Sequence, residues 1–202
     1  EAAYIPLEHD YMGAPEQCER ALMLEQLSQV MADQSKTWVG HNIKYDLHVL
    51  QRSGLTVNNS LWDTMIASYV LNPTNRGHKL DTLAQNLLSH RMITFEDVAG
   101  KGAKQLTFNQ IAIDVASKYA AEDADITLRL HQTLWSKLSA EPELKKLFEE
   151  IELPLINVLS NIERTGALVD GTLLFQQSQE LAETRGVVVP AEKEVSKPVM
   201  VL

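Results

Sequence analysis

The feature that most constrains this chain is an apolar stripe with an acid in the middle of it. From about Ile113 onward the sequence reads as nearly all helix, with a break at Glu141-Pro142. At 100° per residue, Ala116, Tyr119, Asp123, Ile126, Leu130 and Leu134 fall on one face. Such a face has to pack against another layer, and it takes Asp123 with it. Asp125 points away from the stripe, and Glu122 lies at its edge.

The helix expected from near Asn42 to Arg52 repeats the pattern. Asp46 falls in one stripe with Ile43, Val49 and Leu50, while Lys44, His48 and Arg52 lie elsewhere. Asn42, four residues before Asp46, falls on the same side, as Tyr119 does before Asp123. Stripping a carboxylate of its hydration costs several kcal/mol unless the group is protonated, paired or bound to a metal. No Arg or Lys falls on either stripe as a partner. Two such acids brought together repel, and they favour a divalent cation that prefers oxygen, Mg²⁺ or Mn²⁺. Two-metal cleavage of a phosphodiester follows from that chemistry, with a hydroxyl such as that of Tyr119 orienting the water. An Asp on an apolar face also serves as a helix–helix hydrogen bond, so periodicity leaves both readings open.

The rest of the chain alternates short strands and helices. Residues 2–7 read as a strand, Pro15-Glu16 opens a helix, and Lys36–Gly40 reads as a strand ending on glycine. Leu61–Asp63 reads as a second strand, Thr64–Leu71 as a helix stopped by Asn72-Pro73, and Leu80–Leu88 as another helix. The pattern predicts an α/β layer arrangement with a helix-rich C-terminal half. Beyond the break, the next helix is expected to hold Leu147 to Arg164, and the stretch from Gly186 continues no helical pattern. Trp38 and Trp62 are expected in the core, and Trp135 against a neighbouring helix.

With 202 residues and 45% hydrophobic content the chain can bury a core. Its one cysteine, Cys18, excludes an internal disulfide and favours a reducing, cytoplasmic setting. No apolar run is long enough for a membrane span. A net charge of -9 argues against a surface that grips phosphates everywhere, though not against an acidic, metal-dependent nuclease site. Lys101 and Lys104, in a glycine-bearing loop, fit a phosphate contact or simply a solvated turn. Gly100-Lys101-Gly102 lacks the spacing of a P-loop.

Two segments carry a resemblance. Gly40-His41-Asn42-Ile43-Lys44-Tyr45-Asp46 resembles the second exonuclease motif of the DnaQ-like 3′-5′ exonucleases, in the form of the DNA polymerase I (family A) branch. Tyr119-Ala120-Ala121-Glu122-Asp123 resembles the third motif of that branch. Trp62-Asp63-Thr64-Met65, Ile93-Thr94-Phe95-Glu96 and Leu106-Thr107-Phe108-Asn109-Gln110 are similar to the same branch, and Ile151–Leu155 and Ile162–Asp170 resemble the helix leading into its polymerase domain.

The resemblance implies an RNase H-like exonuclease fold, a central mixed sheet flanked by helices. It implies removal of 3′-terminal nucleotides from DNA with two divalent ions, Mg²⁺ or Mn²⁺. On this reading Asp46 and Asp123 are metal-site carboxylates, Tyr119 orients the water, Asn42 helps hold the substrate, and Phe95 meets the 3′-terminal base. The implied organisation is a partial exonuclease domain over 1–140, a helical lead-in to a polymerase domain over 141–185, and an anomalous tail over 186–202. The implied partners are a frayed or single-stranded DNA 3′ end and a polymerase domain of the same parent chain, with no membrane and a monomeric state. The family's first motif, an Asp-x-Glu on the first strand, is expected upstream of Glu1. The chain has no candidate for it, so the isolated chain is expected to be inactive. His41 stands where Gln is more familiar in the family. The alternative reading is a catalytically silent exonuclease fold that supports a polymerase.

Overall fold

The computed structural model describes residues 1–75, 77–186 and 200–201. The chain divides after Asn157 into two compact units.

In the first unit, α1 (Arg20–Ala32) is followed by β1 (Thr37–Gly40), α2 (Ile43–Arg52) and β2 (Ser60–Asp63). The two strands pair in parallel, with Gly40 opposite Asp63. This is a strand–helix–strand unit of the kind the alternation predicts. Ser53 and Gly54 end α2: Gly54 takes a φ of +84°, and the Leu55 amide donates back to the Leu50 carbonyl at 3.0 Å. Then come α3 (Thr64–Leu71), α4 (Leu80–Leu88) and the short α5 (Phe95–Ala99). Two single 3-10 turns, Gly102–Lys104 and Phe108–Gln110, lead to α6 (Ile113–Leu138).

The stripe of α6 organises the main core. Ile126, Leu130, Leu134 and Leu138 are buried against Ala67 and Val70 of α3, Leu83 and Ala84 of α4, and Trp62 of β2. A second cluster packs Ile43 and Leu47 of α2 onto Leu61, with Ile156. Pro142 opens α7 (Pro142–Leu147), as the break predicts. The expected single helix over Leu147–Arg164 is instead interrupted: a π-helical turn, Phe148–Glu152, precedes α8 (Leu153–Thr165). The extra residue in that turn accompanies a fully buried Phe148, whose ring lies 5.1 Å from that of Trp62.

In the second unit, β3 (Ala167–Leu168) pairs antiparallel with β4 (Met200–Val201), and α9 (Gly171–Arg185) is capped by Asp170, which accepts from the Leu173 amide. The expected tail over 186–202 falls mostly outside the described residues.

Three local expectations are corrected. Residues 2–7 form no strand. Tyr4 instead packs on the small Ala99–Ile111–Ala116 cluster and places its hydroxyl 2.6 Å from His9 Nε2, side-chain contacts that an apolar run without a strand partner can still make. The first helix begins at Arg20 rather than at Pro15, with Glu19 in extended conformation before it. Trp38 is only half-buried, whereas Trp62 is core and Trp135 lies at the core's edge with the Lys145 ammonium over its ring.

Candidate active site

β1 and α2 meet at a tight corner. A Cβ on Gly40 would come within 2.8 Å of the Ile43 side chain, so only glycine lets the helix turn back onto the strand here. Asn42 occupies the left-handed region, with φ 58°, and precedes the first helical residue. It is therefore outside α2, and the expectation that it shares a helical face with Asp46 does not hold. Asn tolerates this conformation because its short polar side chain relieves the usual penalty.

Asp63 holds the corner. This residue, 1% exposed, accepts from the Asn42 and Ile43 amides at 3.2 and 2.7 Å and from the Met65 and Ile66 amides at 2.8 and 3.1 Å. One carboxylate thus caps α3 and ties the start of α2 to the end of β2. The sequence signal for the cap is an Asp directly before a helix. The long-range half depends on the parallel register that sets Gly40 beside Asp63. His41 completes the corner, its Nδ1 lying 2.8 Å from Thr64 Oγ1, and burial holds its pKa below the usual imidazole range against the opposing pull of Asp63.

Asp46 does not lie on the buried face of α2. The buried positions are Ile43 and Leu47, with Leu50 half-buried, while Asp46 and Val49 are exposed. The packed stripe runs i, i+4, i+7 through Leu47, and Asp46 borders it one step round. Asp46 nevertheless faces a walled space. A cleft of about 540 Å³ is lined by Val39, His41, Asp46, Leu47, Asp123 and Thr127 among others. Exposure into such a cleft differs from exposure on a convex surface: loss of hydration, aided by the charge of Asp63, raises the pKa of Asp46.

α6 brings Asp123 to the same cleft from a distant part of the sequence. Asp123 is half-buried, and desolvation followed by repulsion from Glu122 pushes its pKa up to about 6. The ion pairs among the described residues include neither Asp46 nor Asp123. Asp125 is exposed and pairs with Arg129.

Tyr119 and Phe95 sit together; neither lines the cleft, but the charge of Asp123, which does, reaches Tyr119. Their ring centroids are 6.3 Å apart, and Phe108 approaches Tyr119 from another side at 6.1 Å. Phe95 is 37% exposed, so its ring is open to solvent beside Tyr119. Desolvation and the charges of Asp123 and Glu122 raise the Tyr119 pKa, which keeps its hydroxyl a neutral donor. Lys101 is exposed and pairs with Glu96.

The oxygen-only chemistry of Asp46 and Asp123 suits part of a Mg²⁺ or Mn²⁺ site. Among the described residues no group of three or more His, Cys, Asp and Glu side chains converges on one point. Two carboxylates leave most of an octahedral oxygen shell to other donors.

Comparison with known proteins bears on the family of the chain. Residues 1–139 match the 3′-5′ exonuclease family of family A DNA polymerases. The chain is 54% identical over 185 residues to DNA polymerase I of Pseudomonas aeruginosa, covering 91% of this chain and 20% of that protein. It is 40% identical over 190 residues to DNA polymerase I of Rhizobium leguminosarum, covering 90% of this chain and 18% of that one. A solved structure, the POL domain of Pol1 from M. smegmatis in complex with DNA primer-template and dNTP, aligns with a TM-score of 0.62 at 25% identity, over 79% of this chain and 24% of that chain. The chain spans about a fifth of the length of the curated relatives it matches. The mixed, helix-rich architecture with a small sheet and the match over residues 1–139 agree, and the chain belongs to the 3′-5′ exonuclease family of DNA polymerase I.

Proposed function

We propose that this chain is the proofreading portion of a DNA polymerase I, which in the parent protein hydrolyses 3′-terminal nucleotides of DNA, with Asp46 and Asp123 as metal-site carboxylates. The observation that carries the proposal is that these two acids, from separate helices, line one cleft and are both pushed toward protonation by their surroundings. Groups that resist ionising without a partner are groups a divalent cation would stabilise. When bound, Mg²⁺ or Mn²⁺ would supply Lewis-acid stabilisation of the attacked phosphate and activation of the water.

The chain's own residues have separate tasks. Tyr119 donates its hydroxyl to the attacking water and orients it. Water oxygen bonds to phosphorus, the bond from phosphorus to the 3′ oxygen of the penultimate nucleotide breaks, and that oxygen takes up a proton. Phe95 offers a ring to the terminal base, a stacking contact worth roughly 1–3 kcal/mol per base and indifferent to sequence. Asn42 helps hold the substrate from the corner that Asp63 fixes.

The fuller fold reading is an RNase H-like sheet larger than β1 and β2. Its support is that the two-strand sheet leaves both edges without a strand among the described residues. An added strand beside the cleft is the place for further carboxylates, and without them the chain is inactive. The proposed division is a partial exonuclease domain over 1–140, a lead-in to a polymerase domain over 141–185, and a tail over 186–202. The setting is cytoplasmic and the state monomeric; Cys18 is free, and no described helix is long and apolar enough to cross a membrane.

A silent scaffold is the second reading, favoured by the lack of a third converging acid among the described residues. Mn²⁺ titration by calorimetry on this chain and on the full-length protein separates the two. Tight binding in the full-length protein that is lost in Asp123→Asn supports the exonuclease; no binding in either favours the scaffold.

A further inference from the structure

Glu122 stands next to Asp123 but turns to a different task. Its side chain is 17% exposed, and both of its oxygens are engaged away from the cleft. Oε1 lies 2.8 Å from His90 Nε2, and Oε2 accepts the Ile93 amide at 2.7 Å. Both contacts are to the segment that connects α4 to α5. Immediately after it, Thr94 caps α5 in a reciprocal box with Asp97, at 3.2 Å from the Asp97 amide to Thr94 Oγ1 and 2.9 Å from the Thr94 amide to Asp97 Oδ2. Phe95 is the first residue of that helix.

The two rings of the candidate site therefore hang from one helix by different routes. Tyr119 is part of α6. Phe95 is fixed to α6 through the bond from Ile93 to Glu122 and the cap at Thr94. α5 is only five residues long and buries only Ala99, so it has little packing of its own to set the direction of Phe95. Met92, next to Ile93, is buried in the main core, and the charge-assisted bond to the Ile93 main-chain amide adds a directional restraint two residues from the ring.

We infer that Glu122 is a positioning residue, which holds the 3′-terminal stacking ring of Phe95 in register with Tyr119. The inference rests on the proposed roles of Phe95 and Tyr119, while its structural half is independent of them. Adjacent acids then divide the work: Asp123 serves the cleft and Glu122 sets the platform beside it.

The test compares Glu122→Gln, which keeps a carbonyl to accept the Ile93 amide, with Glu122→Ala, which does not. In NMR on this chain, the alanine variant should exchange the Ile93 amide about tenfold faster or more, since losing a bond to a charged group costs upwards of about 1.5 kcal/mol. It should also lose the nuclear Overhauser contact between the Phe95 and Tyr119 rings. Glutamine should keep both, and the Leu130 amide should stay protected in each as a control on folding. If Leu130 loses protection in the alanine variant, Glu122→Leu fills the space without an acceptor and replaces it. In the full-length protein, a single strand ending in 3′ 2-aminopurine should show stacking quench with the glutamine variant and not with alanine. Unchanged Ile93 exchange and ring contact in the alanine variant would overturn the inference. So would quench that persists after the ring contact is gone. Absence of quench in the unsubstituted protein would instead count against the proposed role of Phe95, and the exchange result would still decide whether Glu122 is the anchor.

Discussion

Substituting Asp123 by Asn should stabilise the fold at neutral pH while disabling the site. The folded-state pKa of Asp123 is about 6 against an ordinary 3.8, so between those values the folded chain holds more protons than the unfolded one. Stability attributable to this group is fully present below about pH 4 and is lost as pH rises through about 6. A shift of about 2 units corresponds to about 3 kcal/mol if no solvent screens it. Asp123 is only half-buried, so roughly half of that, about 1–1.5 kcal/mol, is the expected penalty of ionisation. The asparagine side chain has the same shape as the aspartate and no charge. Urea unfolding followed by tryptophan fluorescence should find Asp123→Asn more stable than the unsubstituted chain by about 1–1.5 kcal/mol at about pH 8, with the advantage shrinking toward zero near about pH 3.5. The difference between the two chains is the quantity to follow. His41 and His131, both held below their usual pKa chiefly by burial, titrate in the opposite sense and lose stability as pH falls below their ordinary range. A variant no more stable at high pH, or equally favoured at both ends, would refute the claim that the cleft resists ionisation of Asp123.

Other consequences follow from the same geometry. Removing the four-amide clamp with Asp63→Ala should cost about 2–4 kcal/mol in urea unfolding, a cap plus orphaned amides at the α2 corner. Gly40→Ala should cost about 1–3 kcal/mol by the same assay, because its Cβ would meet the Ile43 side chain at 2.8 Å. Mn²⁺ affinity, measured by calorimetry in the full-length protein, should strengthen as pH rises through about 6, since a cation must displace the proton of Asp123.

What is legible in the sequence is local. α3 and α4 begin and end where the patterns predict, and for α3 the reason is local: Asp63 and Asn72-Pro73 are cap and stop signals within one turn of the helix they bound. The α6 stripe is readable because a long helix averages out errors of phase. α2 is short, and there the pattern reads one step off: it omits Leu47, the best-buried residue of the helix, and includes Asp46 and Val49. The hold of Asp63 on the α2 corner and the task of Glu122 are not readable, since these bonds run to backbone amides far away in the chain. Such bonds leave no periodic trace. The apolar run at residues 2–7 shows the converse: strand-like composition specifies no strand without a partner edge.

The proposed catalysis turns on Asp46 and Asp123 acting as one site. The most direct test is single-turnover digestion of a 5′-labelled single strand by the full-length protein with Mn²⁺, comparing Asp46→Asn, Asp123→Asn and the double variant. The expected result is shortening from the 3′ end that falls at least about 100-fold in each single variant and little further in the double, as for groups that act as a unit. Digestion that proceeds at the unsubstituted rate in either single variant would contradict it.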